Sequence, residues 1–256
     1  MLHIKRIDMK RVELLAPAGN MEKLKTAILY GADAVYFAGK NYGLRSFAGN
    51  FENDEIIQAV KFAHESGKKA YITLNIFAKN SDFIALDEYL DVLRDAEPDG
   101  IIVSDLGLID YIKKKGGFKI HISTQANTLN KYAAKFWADS GAERIVLARE
   151  LSLSEIREIR DYIPDDIELE AFVHGAMCIS YSGRCLLSNY LTDRDSNRGE
   201  CVQACRWEYS MHEVNRSESS MTIQEDSRGT YILNSKDLNM IKYLDKMVDA
   251  GITSFK

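Results

Sequence analysis

Cysteine is absent from most of this chain, and its distribution excludes one common class of protein. The 256 residues contain four cysteines, and all of them lie between Cys178 and Cys205. No apolar segment with a small-residue cleavage site opens the sequence, so the disulfide framework of a secreted protein is a poor explanation. We predict a cytoplasmic protein, in which clustered thiols are more often metal ligands or catalytic groups.

Long apolar runs and an excess of positive charge are also missing. No run approaches the roughly 20 residues that cross a bilayer, so no membrane partner is predicted. The formal net charge is -5, whereas a surface that coats nucleic acid neutralises phosphates with Lys and Arg. DNA is therefore not predicted as a partner, and any RNA contact must be local.

Several catalytic motifs are absent as well. The first turn after a predicted strand reads APAGN, with a single glycine, which does not support a dinucleotide-binding fold. The chain has neither a G-x-S-x-G elbow nor an H-E-x-x-H helix, so the common serine hydrolase and zinc protease signatures are excluded.

What the chain does contain is a regular alternation of short apolar runs with amphipathic helical segments. Such near-continuous apolar strands indicate a parallel sheet covered on both faces. Seven or eight strand and helix units favour an α/β protein with a (β/α)8, TIM-barrel-like fold, forming one barrel domain over residues 1–256. The predicted strands are residues 13–16, 34–38, 70–77, 100–104, 119–123, 144–148, 168–173 and an eighth that begins at Ile252.

Helix boundaries are marked by capping residues. Asn20 is expected to cap the first helix, and Gly31 to end it in the left-handed conformation. Ser152 and Glu155 have the spacing of a capping box. These signals support the repeated strand and helix unit.

The cysteines form a C-x6-C-x15-C-x3-C pattern within a Cys-rich segment, residues 170–206. The predicted metal ligands are Cys178, Cys185, Cys201 and Cys205. Only the last pair has the short spacing usual in structural zinc sites, whereas iron-sulfur ligands vary more in spacing. An iron-sulfur cluster therefore ranks above zinc, and both rank above four unrelated buried thiols, which would pack as small apolar groups.

In a barrel, chemistry is located at the carboxyl ends of the strands. This rule selects His174 and Glu170 on strand seven, Arg149 after strand six and Gln125 after strand five as catalytic candidates. His174 could donate a proton or be a structural histidine, and Glu170 could act as a base or orient His174. Arg149 could clamp a carboxylate or pair with a nearby acid.

The substrate-binding candidates are polar and aromatic residues near the same end. Gln125 and Asn75 could read the edge of a pyrimidine or satisfy backbone groups in the loops. Tyr181 could stack on a base or cover the metal site. Arg184 and Arg198 belong to a set of cations in the Cys-rich segment that are all arginine, the type that stacks on bases and binds phosphate, although a solvated loop with internal ion pairs is the alternative.

Six stretches resemble a known family. They are EAFVHGAMC with SYSGRC and NRGECVQACR in the Cys-rich segment, ELLAPAGNMEKLKTAILYGADAVYFAGKNYGLRSFAGNF near the start, and STQANTLN with GTYILNSKDL further on. These stretches resemble the collagenase-like peptidase family U32, over nearly the whole chain.

The resemblance implies two kinds of activity. The family carries a label of protease or collagenase, yet it also includes prephenate-dependent hydroxylases that make 5-hydroxyuridine in tRNA, several with a [4Fe-4S] cluster on four cysteines. GLRSFAGNF and EDSRGTYILNSKDL are most similar to this tRNA branch. The resemblance thus implies tRNA hydroxylation with an iron-sulfur cluster, tRNA and a small carboxylic acid, prephenate, as partners.

Two further readings stay open. A peptidase would use one thiol as nucleophile, with His174 four residues before Cys178. A non-catalytic barrel could instead serve as one subunit of a hetero-oligomer with a homologous partner.

The part after the Cys-rich segment breaks the repeat. Residues 207–232 are predicted to form a β-hairpin or loop insertion, with strands in WEYSMHEV and TYILNS joined by the polar stretch 215–229. The sequence ends within the predicted eighth strand. We expect a KIEGR-like continuation and a further C-terminal region, as in the family.

Overall fold

The computed structural model describes residues 12–40, 42–43, 50–207, 224–226, 229–231 and 237–256. Eight parallel strands close into a barrel, which confirms the predicted fold. The barrel strands are β1 (Glu13–Pro17), β2 (Ala34–Phe37), β3 (Lys69–Leu74), β4 (Gly100–Val103), β5 (Ile120–Ile122), β6 (Arg144–Val146), β7 (Glu168–Ala171) and β12 (Ser254–Phe255). Their spatial order around the barrel is β1-β12-β7-β6-β5-β4-β3-β2.

The short last strand closes the barrel. Ser254 lies opposite Glu13 of β1 and opposite Glu170 of β7, both in parallel register. Two residues of β12 are enough for closure because backbone hydrogen bonds from Glu13 and Lys256 extend the pairing beyond both of its ends.

Helices cover the barrel and follow the predicted capping signals. Asn20 Oδ1 accepts a hydrogen bond from the backbone N–H of Lys23, and Ser152 forms the capping box with Glu155. Gly31 has φ 100°, as its role at the end of the first helix requires. The α-helices are α1 (Met21–Leu29), α2 (Asn53–Glu65), α3 (Leu86–Ala96), α4 (Leu106–Lys115), α5 (Lys131–Asp139), α6 (Leu153–Arg160), α7 (Leu187–Thr192) and α8 (Leu244–Asp249).

The apolar core has two zones. One large cluster fills the space between the strands and the helices, where α2 and α3 bury residues such as Ile56, Val60 and Leu90. A small cluster inside the barrel contains Leu15, Ala34, Tyr71 and Ile102. Burial of each large aliphatic side chain stabilises the fold by about 1.5–3 kcal/mol. Because the outer cluster is much the larger, it supplies most of the apolar contribution to folding. The barrel interior can therefore hold polar residues.

The end of strand seven differs from the prediction. The strand was predicted to run over residues 168–173, but β7 ends at Ala171. His174 instead belongs to β8 (His174–Gly175), which pairs antiparallel with β11 (Leu238–Asn239). His174 therefore lies outside the barrel wall, and its side chain is exposed.

The predicted insertion contains a hairpin, although not with the strands expected. β9 (Gln224–Asp226) pairs antiparallel with β10 (Gly229–Tyr231). The first of these lies in the stretch that was predicted to connect the strands, which is a correction. The predicted strand WEYSMHEV lies outside the described residues except for Trp207, as do residues 44–49 and 232–236 of the stretches that resemble the family. Within the described residues, no helix has the length and hydrophobicity to cross a membrane.

Candidate active site

The barrel interior contains an ionic network centred on Arg144, the first residue of β6. Its guanidinium contacts Glu13 Oε1 at 2.6 Å, Glu168 Oε2 at 2.7 Å and Glu170 Oε2 at 3.1 Å. Tyr71 Oη lies 3.2 Å from Arg144 Nη2. Burial of the guanidinium favours its neutral form, but the hydrogen bond that it donates to Glu13 and the surrounding negative charges more than offset this and raise the pKa of Arg144.

Glu170 connects this network to the mouth of the barrel. Its side chain is 0% exposed, and its second oxygen accepts a hydrogen bond from Lys256 Nζ at 2.9 Å. The partners of Glu170 are Arg144 and Lys256 rather than His174. A buried carboxylate is stable here because both oxygens meet a cation.

The Cys-rich segment folds over the carboxyl ends of the strands. Arg149 Nη1 donates to the Ala176 carbonyl at 2.8 Å, and Arg149 Nη2 donates to Ser182 Oγ at 3.0 Å. Asn127 Nδ2 donates to the Ser182 carbonyl at 3.1 Å. These bonds fasten the residues on both sides of Cys178 to the ends of β5 and β6.

A glycine allows close contact between this segment and the barrel. A Cβ atom on Gly183 would lie 3.3 Å from Gln125 Cβ and 3.3 Å from Phe77 Cε2, and Gly183 has φ +71°. Gln125 is buried under this contact, and its side-chain oxygen lies 3.4 Å from Ser104 Oγ. The predicted catalytic Gln125 is therefore placed at the mouth but covered.

A second attachment is ionic. Arg198 binds both oxygens of Asp82, each at 2.8 Å, and also donates to the Phe77 carbonyl. The hydrogen bonds from Arg198 lower the pKa of Asp82 below its usual value, although partial burial works in the opposite direction. The predicted substrate-binding role of Arg198 competes with this attachment, because its guanidinium is already occupied.

The four thiols share one region of this covering segment. None of the four is in a disulfide. Burial raises the pKa of the Cys205 thiol, and the charges of the other cysteines raise it further. Among the described residues, no group of three or more His, Cys, Asp or Glu side chains is arranged to hold a single metal ion.

Backbone amides point at two of the sulfurs. The N–H of Leu187 donates to Cys185 Sγ at 3.5 Å, and the N–H of Gln203 donates to Cys201 Sγ at 3.4 Å. Ser188 Oγ lies 3.9 Å from Cys201 Sγ. Donors of this kind stabilise thiolates and tune the potential of iron-sulfur clusters, so the surroundings of these two sulfurs are compatible with ligation as thiolates.

The remaining candidates lie around the rim. Tyr181 is 51% exposed, and Arg184 is exposed with its guanidinium 4.9 Å from the Phe77 ring centroid. Asn75 is half-buried, and its Oδ1 is buried without a hydrogen-bond partner. Tyr181 and Arg184 thus remain accessible to a large substrate, whereas Asn75 faces inward.

Polar atoms without partners collect at this end of the barrel. Buried polar groups in proteins are normally hydrogen-bonded, so such atoms indicate where a ligand or water binds. Those that follow β3, β5 and β6 are Asn75 Oδ1, Asn127 Oδ1, Thr128 Oγ1 and Arg149 Nε.

A cavity lies at the opposite end of the barrel. It has a volume of about 560 Å³ and is lined by residues at the starts of strands, among them Lys69, Lys119, His121 and Glu168. In barrels of this kind, residues at the amino ends of the strands serve stability and those at the carboxyl ends serve chemistry. We therefore place the candidate active site at the mouth covered by the Cys-rich segment.

A family model that matches most of the chain shows which family it belongs to. The model of Peptidase family U32 matches residues 19–256. The chain belongs to family U32. The tRNA hydroxylation protein P1 of Bacillus subtilis (strain 168) is 47% identical over 253 residues, which cover 98% of this chain and 59% of that protein. The tRNA hydroxylation protein P of Escherichia coli (strain K12) is 38% identical, with 97% of this chain and 63% of that protein covered.

These figures show that this U32 chain spans less than two thirds of the length of the curated relatives it matches. Among solved structures, the U32 peptidase Mk0906 is similar with a TM-score of 0.57 at 18% identity, covering 66% of this chain and 71% of that chain. This similarity supports the barrel fold alone.

The sequence reasoning missed three residues of the interior network, Arg144, Tyr71 and Lys256. Arg144 is the first residue of an apolar strand and Lys256 is the last residue of the chain. Neither position follows a motif, and the inward direction of each side chain becomes visible only when the barrel is closed.

Proposed function

We propose that this chain is the barrel portion of an enzyme that hydroxylates uridine in tRNA to 5-hydroxyuridine, with prephenate as a small carboxylic acid co-substrate. One observation carries the proposal: the 47% identity, over 98% of this chain, to a relative named tRNA hydroxylation protein P1. Because 41 in every hundred residues of that relative lie beyond the matched part, some contacts with tRNA are expected outside this chain.

The covered barrel mouth suits such a reaction. The Cys-rich segment closes over the strand ends through Arg149, Asn127 and Gly183, which limits the access of water to the interior. Tyr181 and Arg184 stay exposed on the outer side of the same segment. We assign them to the tRNA, since aromatic rings and guanidinium planes stack on unpaired bases.

The four cysteines fit a [4Fe-4S] cluster better than unrelated thiols. All four lie in the Cys-rich segment, none is in a disulfide, and backbone N–H groups donate to Cys185 and Cys201. When bound, the cluster would supply electron transfer or a structural link between the segment and the barrel. Zinc remains the alternative metal.

The interior residues divide the remaining work. Arg149 holds the segment, Glu170 binds Lys256, and Gln125 contacts Gly183 at the barrel wall. His174 lies on the exposed side of the segment, beside β11. There it can exchange a proton with a substrate that approaches from solvent.

The reaction is tested by nucleoside analysis of tRNA. Cells that lack the full-length protein should lose 5-hydroxyuridine, and expression of the full-length protein should restore it. Unchanged 5-hydroxyuridine in the deletion strain would contradict the proposal.

The metal is tested by anaerobic purification followed by iron and sulfide analysis. Each single Cys→Ser variant at the four positions should lose iron to a similar degree, since all four thiolates share the ligation. A colourless protein with stoichiometric zinc would overturn the cluster assignment.

The peptidase alternative predicts a different pattern in the same variants. One thiol should then be indispensable for activity while the other three tolerate replacement by serine. Among the described residues, no thiol of the four hydrogen-bonds a histidine, so the pairing that activates a cysteine nucleophile lacks support.

A further inference from the structure

Lys256 lies at the floor of the barrel mouth. Its side chain is 6% exposed, although lysine is among the residues least often buried. Nζ lies 2.9 Å from Glu170 Oε1 and 4.0 Å from the centroid of the Tyr36 ring. The structure thus holds a buried ammonium group at the carboxyl end of the closing strand β12.

Glu170 accepts only one of the hydrogen bonds that the Lys256 ammonium group can donate. An ammonium group has three donors, and the hydrogen bond to Glu170 uses one of them. The other carboxylate oxygen of Glu170 is bound by Arg144 at 3.1 Å, so its negative charge is shared between two cations. Lys256 therefore keeps both a donor and part of its positive charge for another partner.

Arg149 is a second cation at the mouth without a counter-charge. Its two terminal nitrogens bind the Ala176 carbonyl and Ser182 Oγ, which are neutral. Arg149 Nε is buried and has no hydrogen-bond partner among the residues that the structure describes. Within the described part of the chain, no acidic side chain pairs with Arg149. A half-buried arginine in this state favours a bound anion.

Both cations contact one aromatic ring. Arg149 Cζ lies 5.5 Å from the centroid of the Phe172 ring, and Lys256 Nζ lies 5.6 Å from the same centroid. Phe172 belongs to the short stretch between β7 and β8, where the wall of the barrel passes into the Cys-rich segment. The two positive groups and the two apolar rings of Tyr36 and Phe172 therefore surround the same part of the mouth.

We propose that Lys256 and Arg149, with Phe172 between them, form the binding site for a small dicarboxylic acid. Lys256 binds one carboxylate and Arg149 Nε the other, while the apolar body of the acid packs against Tyr36 and Phe172. This site deepens the proposed function, on which it rests, because it assigns the co-substrate to particular residues. The sequence pointed to Arg149 alone, and Lys256 is new.

Calorimetric titration of the full-length protein with prephenate tests the site. Replacement Lys256→Met keeps the length of the side chain and removes its charge, and we expect the Kd for prephenate to rise at least tenfold. Phenylpyruvate, which has one carboxylate, should bind more weakly than prephenate to the unmodified protein. The difference between the two acids should shrink in the variant.

Lys246→Met is the matched control. The Lys246 ammonium also lies over a tyrosine ring, 5.5 Å from the Tyr243 centroid, but on the outer surface. Its replacement should leave the Kd unchanged. Because Lys256→Met leaves Glu170 with one cation, the double variant Lys256→Met with Glu170→Gln serves if the single variant does not fold.

Two outcomes would overturn the site. One is an unchanged Kd for prephenate in a folded Lys256→Met variant, and the other is no binding of prephenate by the unmodified protein. Hydroxylation of tRNA is measured separately. Intact prephenate binding with no 5-hydroxyuridine would refute the proposed reaction and support the acid site. Continued 5-hydroxyuridine formation without prephenate binding would refute the acid site and the assignment of prephenate as co-substrate, and would leave the hydroxylation of tRNA standing.

Discussion

Arg144 Nη1 lies 2.6 Å from Glu13 Oε1, although the two residues are 131 positions apart in the chain. The contact joins β6 to β1 across the barrel interior, and Ser254 Oγ of the closing strand lies 3.0 Å from the same Glu13 oxygen. Burial raises the pKa of Glu13, but the hydrogen bond and charge of Arg144 outweigh this and lower it below 4.5. Glu13 is thus charged in the folded state at neutral pH.

Arg144→Met should destabilise the protein strongly, because it leaves Glu13 and Glu170 with fewer partners inside the barrel. Removal of one member of a buried ionic network typically costs about 3–5 kcal/mol. Urea unfolding monitored by circular dichroism gives the free energy of unfolding. Arg94→Met is the control, since Arg94 pairs with Asp91 on the surface and exposed pairs contribute about 0–1 kcal/mol. Equal losses in both variants would contradict this role for the network.

His121 should make stability depend on pH. Burial, together with the charges of Arg144, Lys256 and Lys69, lowers the pKa of His121 well below 6.5. The folded protein keeps the imidazole neutral where the unfolded chain binds a proton, so the free energy of unfolding should fall as the pH drops below about 6.5. This one group contributes a slope of at most about 1.4 kcal/mol per pH unit.

Unfolding of the unmodified protein and of His121→Gln between pH 5 and pH 8 measures this slope. The variant should lack the contribution of His121 below pH 6.5. Above that pH the difference in stability between the two proteins should be constant, which is the internal control. Parallel curves over the whole range would show that His121 does not titrate as its burial requires.

The barrel could be predicted from the sequence because each strand is a short apolar run between amphipathic helices. The run at residues 100–104 became β4 (Gly100–Val103) almost unchanged. The run at residues 70–77 was predicted too long, since β3 ends at Leu74. Beyond it the backbone serves the covering segment, where the N–H of Phe77 bonds the carbonyl of Asn197. Because Phe77 and Asn197 are far apart in the sequence, the residues around Phe77 give no local signal that the strand ends there.

The interior network could not be predicted for a different reason. In a parallel strand buried on both faces, polar and apolar positions do not alternate, so the sequence does not tell which side chain points inward. Arg144 therefore looked like an ordinary strand start. The Cys-rich segment was recognised from its cysteines, but its attachments at Arg198 and Gly183 depend on pairing with Asp82 and Gln125, each many residues away.

Gly183→Ala should loosen the Cys-rich segment from the barrel. The added methyl group would press on Gln125 and Phe77 at 3.3 Å, and the φ of +71° is itself unfavourable for alanine. We expect faster hydrogen exchange in residues 176–206. Gly67→Ala is a close control, because Gly67 has φ +67° but no atom within 4 Å of the added Cβ. If hydrogen exchange in residues 176–206 is equally fast in both variants, the effect comes from backbone strain at a glycine with positive φ and not from the contact with Gln125 and Phe77.

Asp82→Asn tests whether Arg198 attaches the segment or binds RNA. The carboxylate of Asp82 accepts two hydrogen bonds from Arg198 at 2.8 Å, and hydrogen bonds to charged groups contribute about 1.5–3 kcal/mol. If attachment is the role of Arg198, Asp82→Asn and Arg198→Met should lower tRNA hydroxylation and speed hydrogen exchange in the segment to a similar degree. Lys115→Met, which breaks the surface pair with Asp87, should change neither. Retained activity in Asp82→Asn with loss in Arg198→Met would instead assign the guanidinium to the RNA, since only the second change removes the cation.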